Sequence, residues 1–217
     1  MKPFKPPAPY ATNGLIAFCV AVQAAVVLAG PAFNQQLKLQ LALVPGRISA
    51  VFAGAESPMS LETLVSYIFV HGGWLHLGLN MLFLVWVGRY VEWVVGRWAM
   101  LSLFLIGGIV GGGLQVAAAP HSMGAVVGAS GAIAAVFGAY AILFARSQVQ
   151  PRSILGLRLS GETLTALWLA AAWIGLQLLT ALVFNNGGGG FAIWTHIGGF
   201  LVGLVAGRLW GRGPQIS

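Results

Sequence analysis

The sequence has no aspartate, and its four acidic residues are all glutamates: Glu56, Glu62, Glu92 and Glu162. That absence excludes a Ser-His-Asp triad and a site built on paired aspartates. Cys19 is the single cysteine, which excludes an internal disulfide and a thiolate metal site. The HExxH pattern of zinc proteases is missing too, and no metal or cofactor is expected. Charge itself is scarce. Only 7% of the 217 residues are charged, against about a quarter in soluble domains. With 58% hydrophobic residues, the chain reads as an all-α polytopic membrane protein. Its net charge of +7 sits at the ends of apolar runs rather than in one patch. That distribution does not suit a nucleic-acid footprint.

The apolar runs predict six spans. They lie at residues 13–30, 74–95, 98–118, 130–146, 162–184 and 194–210. Residues 1–12 and 212–217 are read as cytoplasmic tails around a bundle over 13–211. Residues 31–70 mix Gln35, Gln36, Lys38, Gln40 and Arg47 with apolar side chains, which suggests structure lying in the membrane interface. Residues 146–160 read as a basic loop, and 185–190 as a flexible Asn/Gly loop. With the N-terminus cytoplasmic, Lys2, Lys5, Arg89, Arg97, Arg146, Arg152, Arg158, Arg208 and Arg212 face inward, and only Lys38 and Arg47 face outward. That matches the positive-inside bias. The chain's compactness suggests a prokaryotic cytoplasmic membrane.

Within this frame one tetrad stands out, Gly128-Ala129-Ser130-Gly131. It opens a span with no charge before Arg146, about 16 residues long, where crossing needs roughly 20. Ser130 then falls short of the outer surface, at a helix N-terminus whose free N–H groups favour developing negative charge. A serine there could equally be a simple N-cap. All four histidines, His71, His76, His121 and His196, fall on the same outer side.

His196 opens the last span. Gly199, Gly203 and Gly207 recur there every four residues, as do Gly131, Ala135 and Ala139 after Ser130. Such small faces allow close helix packing. Both spans run outside to inside, so their N-terminal ends can meet and bring the His196 ring to the Ser130 hydroxyl. His76 and Asn80 lie four apart, on one helix face, and both are costly in lipid unless turned into the bundle. With the Ser130 N–H they could form an oxyanion hole. His121 and, largely, His71 read as structural, His71 bracing the loop before its helix.

His71-Gly-Gly-Trp-Leu-His76-Leu-Gly-Leu-Asn80, then Gly128-Ala-Ser130-Gly131, then His196-Ile-Gly-Gly199-Phe-Leu-Val-Gly203 resembles the rhomboid family of intramembrane serine proteases, in the family's order, over about residues 60–210. The resemblance implies a six-helix bundle and cleavage of transmembrane protein substrates within the bilayer. It implies Ser130 as nucleophile, His196 as base, and His76 and Asn80 as oxyanion donors. The chain departs from many members at Ala134, where an aromatic is common, and at Thr195, where alanine is. It also lacks a Trp-Arg pair in the first loop. With no aspartate and the glutamates at loops or helix ends, residue types alone leave a Ser-His dyad. Substrates with small or helix-breaking residues near the outer boundary are expected, since a helix hides its peptide bonds. Entry past the 162–184 span and the 185–190 loop is expected. A client-binding relative without activity and a small transporter are the rival readings. The first typically lacks the serine or the histidine, and the second finds no intramembrane carboxylate for ion coupling. Neither oligomeric state nor substrate identity can be read from the sequence.

Overall fold

A computed structural model describes residues 8–144, 151–154, 157–161, 163–165, 168–169, 171–172, 175 and 192–210. The first helix, α1 (Tyr10–Leu28), begins after Pro9, which offers no side-chain cap. The cap comes instead from Glu92, 80 positions further on. Its carboxylate accepts the Ala11 and Thr12 N–H groups, each at 2.8 Å, and the Thr12 hydroxyl at 2.7 Å. A helix start leaves unpaired donors, and a carboxylate there is favoured by both hydrogen bonding and the helix dipole. Glu92 is therefore not a helix-end bystander. It is buried and locks the start of α1 to the next long helix.

Removing that carboxylate tests its weight. Glu92→Gln is expected to cost about 1.5–3 kcal/mol, the range for a hydrogen bond to a charged group. A thermal unfolding comparison in detergent reads this directly. Catalytic competence at low temperature should persist, because 16 helical residues, about 24 Å, separate Glu92 from His76.

Residues 31–70 fold into short pieces. Two helices, α2 (Pro31–Leu41) and α3 (Pro45–Phe52), each open on proline, whose fixed φ and missing N–H suit a first turn. A 3₁₀ turn (Pro58–Glu62) and the one-turn helix α4 (Thr63–Ser66) follow. Arg47 ties the pieces together by donating to the Leu39 carbonyl at 3.2 Å and the Ser60 hydroxyl at 3.0 Å. It also pairs with Glu56 at 3.5 Å, and the Ser60 and Arg47 hydrogen bonds hold that carboxyl below its usual range.

Two long antiparallel helices come next, α5 (Trp74–Val95) and α6 (Arg97–Ala118). A single residue separates them, Gly96, with φ of +82°. That left-handed backbone is cheap only for glycine, so the chain reverses there in one step. The central helix α7 (Ser130–Leu143) has 14 residues, and every one from Ser130 to Ala139 is buried. It is ringed by α5, α6 and the last helix, α8 (Ile193–Trp210). Residues 146–160 are not simply a loop. Their described part is a two-stranded antiparallel hairpin, Arg152–Ile154 against Leu157–Leu159.

Four described helices, α1, α5, α6 and α8, are long and apolar enough to cross a membrane. The apolar α7 is shorter, about 21 Å at 1.5 Å per residue, against a hydrocarbon core of about 30 Å. The expected 162–184 span and 185–190 loop fall largely outside the described residues. The protein is a helical integral membrane protein.

The contact between α7 and α8 is backbone on backbone. Gly199 lies on the Gly131 carbonyl, Gly203 on the Ala135 carbonyl and Gly207 on Ala139. Gly138 in turn receives the Phe200 carbonyl. The pairs advance together along both helices, so α7 and α8 are parallel and their N-terminal ends are adjacent. Across α6, Gly107 and Gly111 do the same for Ala135 and Thr195.

Candidate active site

Ser130 is the first residue of α7, and Ala129 is the cap position, with no side-chain cap bond. The serine hydroxyl is thus not spent on its own helix. It meets His196 instead, with Oγ 2.6 Å from Nε2 and both side chains buried. That distance suits proton exchange between hydroxyl and imidazole. The first-turn N–H groups of α7 have no partners within the helix, so donors surround the place where charge on Oγ or on an attacked carbonyl would grow.

The loops hold this helix start in position. Leu43 and Val126 exchange backbone hydrogen bonds at 3.0 and 2.8 Å. Gly128 donates to the Tyr67 carbonyl at 2.9 Å, and the Tyr67 hydroxyl donates to the Gly108 carbonyl on α6 at 2.7 Å. Residues 31–70 therefore act as the clamp on the strand-like run into Ser130. Tyr67 is buried. Sequence reasoning passed over it, because one tyrosine in an apolar loop carries no periodic signal.

His76 is buried on α5 and lies against Gly128. A β-carbon at Gly128 would stand 2.6 Å from His76 Nε2, and the glycine's φ is +119°. Both facts demand glycine there. Asn80, also buried, donates its amide N–H to the His76 carbonyl at 2.9 Å. That bond fixes the amide on the bundle side of α5 and leaves its second hydrogen for other use. Gly131 and Gly199 sit at the α7–α8 contact beside the Ser130–His196 pair, and Gly203 one turn deeper. Where an aromatic would be expected, Ala134 faces Gly199, a β-carbon there standing 3.3 Å from its own. Thr195, preceding the histidine, is buried and donates its hydroxyl to the Ala192 carbonyl at 2.5 Å. It thereby helps shape the start of α8. His121 is exposed.

His71 is fully buried beside His76, ring centroids 5.2 Å apart and nearly perpendicular. Burial pushes its imidazole down to about 4, with the bond to the Phe69 carbonyl opposing. The fold keeps His71 neutral where the unfolded chain binds a proton. Its contribution is complete above about pH 6.5 and is lost as pH falls through 6.5 toward 4. His71→Gln is accordingly expected to reduce the loss of stability on acidification across that window, by up to about 3 kcal/mol. Melting curves of wild type and variant at several pH values read the difference. Parallel curves would show that His71 does not titrate as its burial demands.

Residues 58–213 match the Rhomboid domain. The chain is also 40% identical over 78 residues to RHOMBOID-like protein 5 of Arabidopsis thaliana, covering 35% of this chain and 25% of that protein. The shared stretch thus spans about a quarter of the relative's length.

Proposed function

The chain belongs to the rhomboid family, and on that premise we propose that it is an intramembrane serine endopeptidase working through Ser130 and His196. The observation that carries this reading is the 2.6 Å contact between their reacting atoms at the start of a buried helix. His196 takes the Ser130 proton, and the alkoxide attacks a substrate peptide carbonyl. The oxyanion is met by the Ser130 N–H, the His76 ring and the free amide hydrogen of Asn80. Preorganised donors of this kind stabilise the transition state most. The proton then passes from His196 to the leaving amine, leaving an acyl-enzyme that water hydrolyses.

The substrates are transmembrane segments of other membrane proteins, cut near the outer boundary. A helical segment must unwind first, because its peptide groups are bonded to one another. Both termini are cytoplasmic, which puts Ser130 on the outer side. The membrane is a prokaryotic cytoplasmic one, and water reaches the site from outside. Substrate enters sideways past residues 162–184 and 185–190.

A fluorophosphonate probe in detergent tests the chemistry. Wild type should be labelled on Ser130 and cleave a transmembrane substrate. Labelling that survives Ser130→Ala would overturn the assignment. An unlabelled wild type that still binds membrane clients would favour a non-catalytic family member.

A further inference from the structure

The turn before α5, from Phe69 to Gly73, carries hydrogen bonds that oxyanion binding alone does not require. The Phe69 carbonyl lies 3.3 Å from His71 Nδ1. A carbonyl only accepts, so His71 Nδ1 carries the hydrogen there. The Gly72 N–H points at His76 Nδ1 at 3.3 Å. A backbone N–H only donates, so that ring nitrogen must offer its lone pair. On a neutral imidazole the proton then sits on Nε2, the atom that lies against Gly128, two residues before Ser130. The two rings meet edge to face, at 74°. The packed edge of one ring against the face of the other restrains both.

We propose that the His71–Gly72 turn holds its two histidines in opposite tautomers, and that the Gly72 amide is what makes His76 present an N–H at Nε2. Gly72 is then a positioning residue. It acts through His76, and the packed His71 ring keeps that imidazole from rotating. The proposal rests on reading His76 as an oxyanion donor. It adds the reason a histidine can serve there: with the other tautomer, Nε2 would offer a lone pair and repel the oxyanion.

The test uses the full chain in detergent micelles with ¹⁵N-labelled histidine rings at neutral pH. Two-bond proton–nitrogen correlations distinguish Nδ1–H from Nε2–H. Signals are assigned with single His→Gln variants at positions 71, 76, 121 and 196. The expected result is Nδ1–H for His71 and Nε2–H for His76. An Nδ1–H signal or an even mixture at His76 overturns the proposal, and leaves Ser130 labelling by the probe, hence the protease reading, untouched. Gly72→Pro removes the donor. It should turn His76 into a mixture and lower kcat about tenfold with KM nearly unchanged, a fraction of what losing a whole oxyanion donor costs. A variant that keeps Nε2–H at His76 would refute the role of the Gly72 amide. If Gly72→Pro does not fold, the wild-type spectrum still decides.

Discussion

Ser130→Ala is expected to lower substrate cleavage by at least about 10⁴-fold and to abolish covalent labelling. The Ser130 hydroxyl is the oxygen seen hydrogen-bonded to the His196 ring. Thr195 is the nearest alternative hydroxyl in sequence to His196, and it is committed to the Ala192 carbonyl. His196→Ala should cost a comparable factor, because an unactivated hydroxyl is a weak nucleophile at neutral pH. The double variant should be little worse than either single one, since two groups that act as a unit fail together. A transmembrane substrate with one scissile site, followed by gel shift, measures all three. Residual activity of a tenth or more in Ser130→Ala would remove the serine from the mechanism. Additive losses in the double variant would mean that the 2.6 Å contact is not used in catalysis.

The second large effect falls on a residue with no chemistry of its own. Gly199→Val is expected to destabilise the protein by about 3 kcal/mol or more, at the upper end of overpacking costs. It should also slow probe labelling of Ser130 severely. A β-carbon at Gly199 would land on the Gly131 carbonyl oxygen and 2.9 Å from its carbon. These are backbone atoms, so no side chain can swing aside, and α8 must move off α7. His196 lies one turn before Gly199 on the same helix, so the separation is transmitted to the Nε2–Oγ contact. Gly199→Ala should show the same effects in milder form, about 1–3 kcal/mol. Gly113→Ala is the control. A β-carbon there meets nothing within 4 Å, and Ala is the better helix former by about 0.5–1 kcal/mol. Unfolding curves and labelling rates for the three variants separate close helix approach from a general intolerance of substitution. Equal stability of Gly199→Ala and wild type would show that the helices are not held at this spacing.

Both effects concern residues that the sequence marks plainly. Ser130 opens an uncharged run too short to cross the membrane, and Gly199 belongs to a four-residue repeat. The long helices were equally legible. The apolar runs predicted at 74–95 and 98–118 meet the observed α5 and α6 within a residue. The first helix begins at Tyr10 rather than at residue 13, and the reason lies elsewhere in the chain: Glu92 supplies the cap that the local sequence lacks. The hairpin over residues 152–159 was missed because its strands are three residues each, too short to show an alternating pattern.

Sequence by itself determined the membrane class, the four long spans seen among the described residues, the small faces along α7 and α8, and the residue types available for chemistry. These follow from hydropathy and periodicity, which are properties of neighbouring residues. Tertiary structure alone decided which polar groups meet. It put Glu92 on α1, Tyr67 on α6, Leu43 beside Val126, and the Gly72 amide on the His76 ring. Each of the first three joins elements more than 40 residues apart, and the last depends on how one turn is folded. A hydrogen bond weakens steeply outside a narrow range of distance and angle. No repeat in a chain of side chains encodes that, and only the packed positions of whole helices fix it.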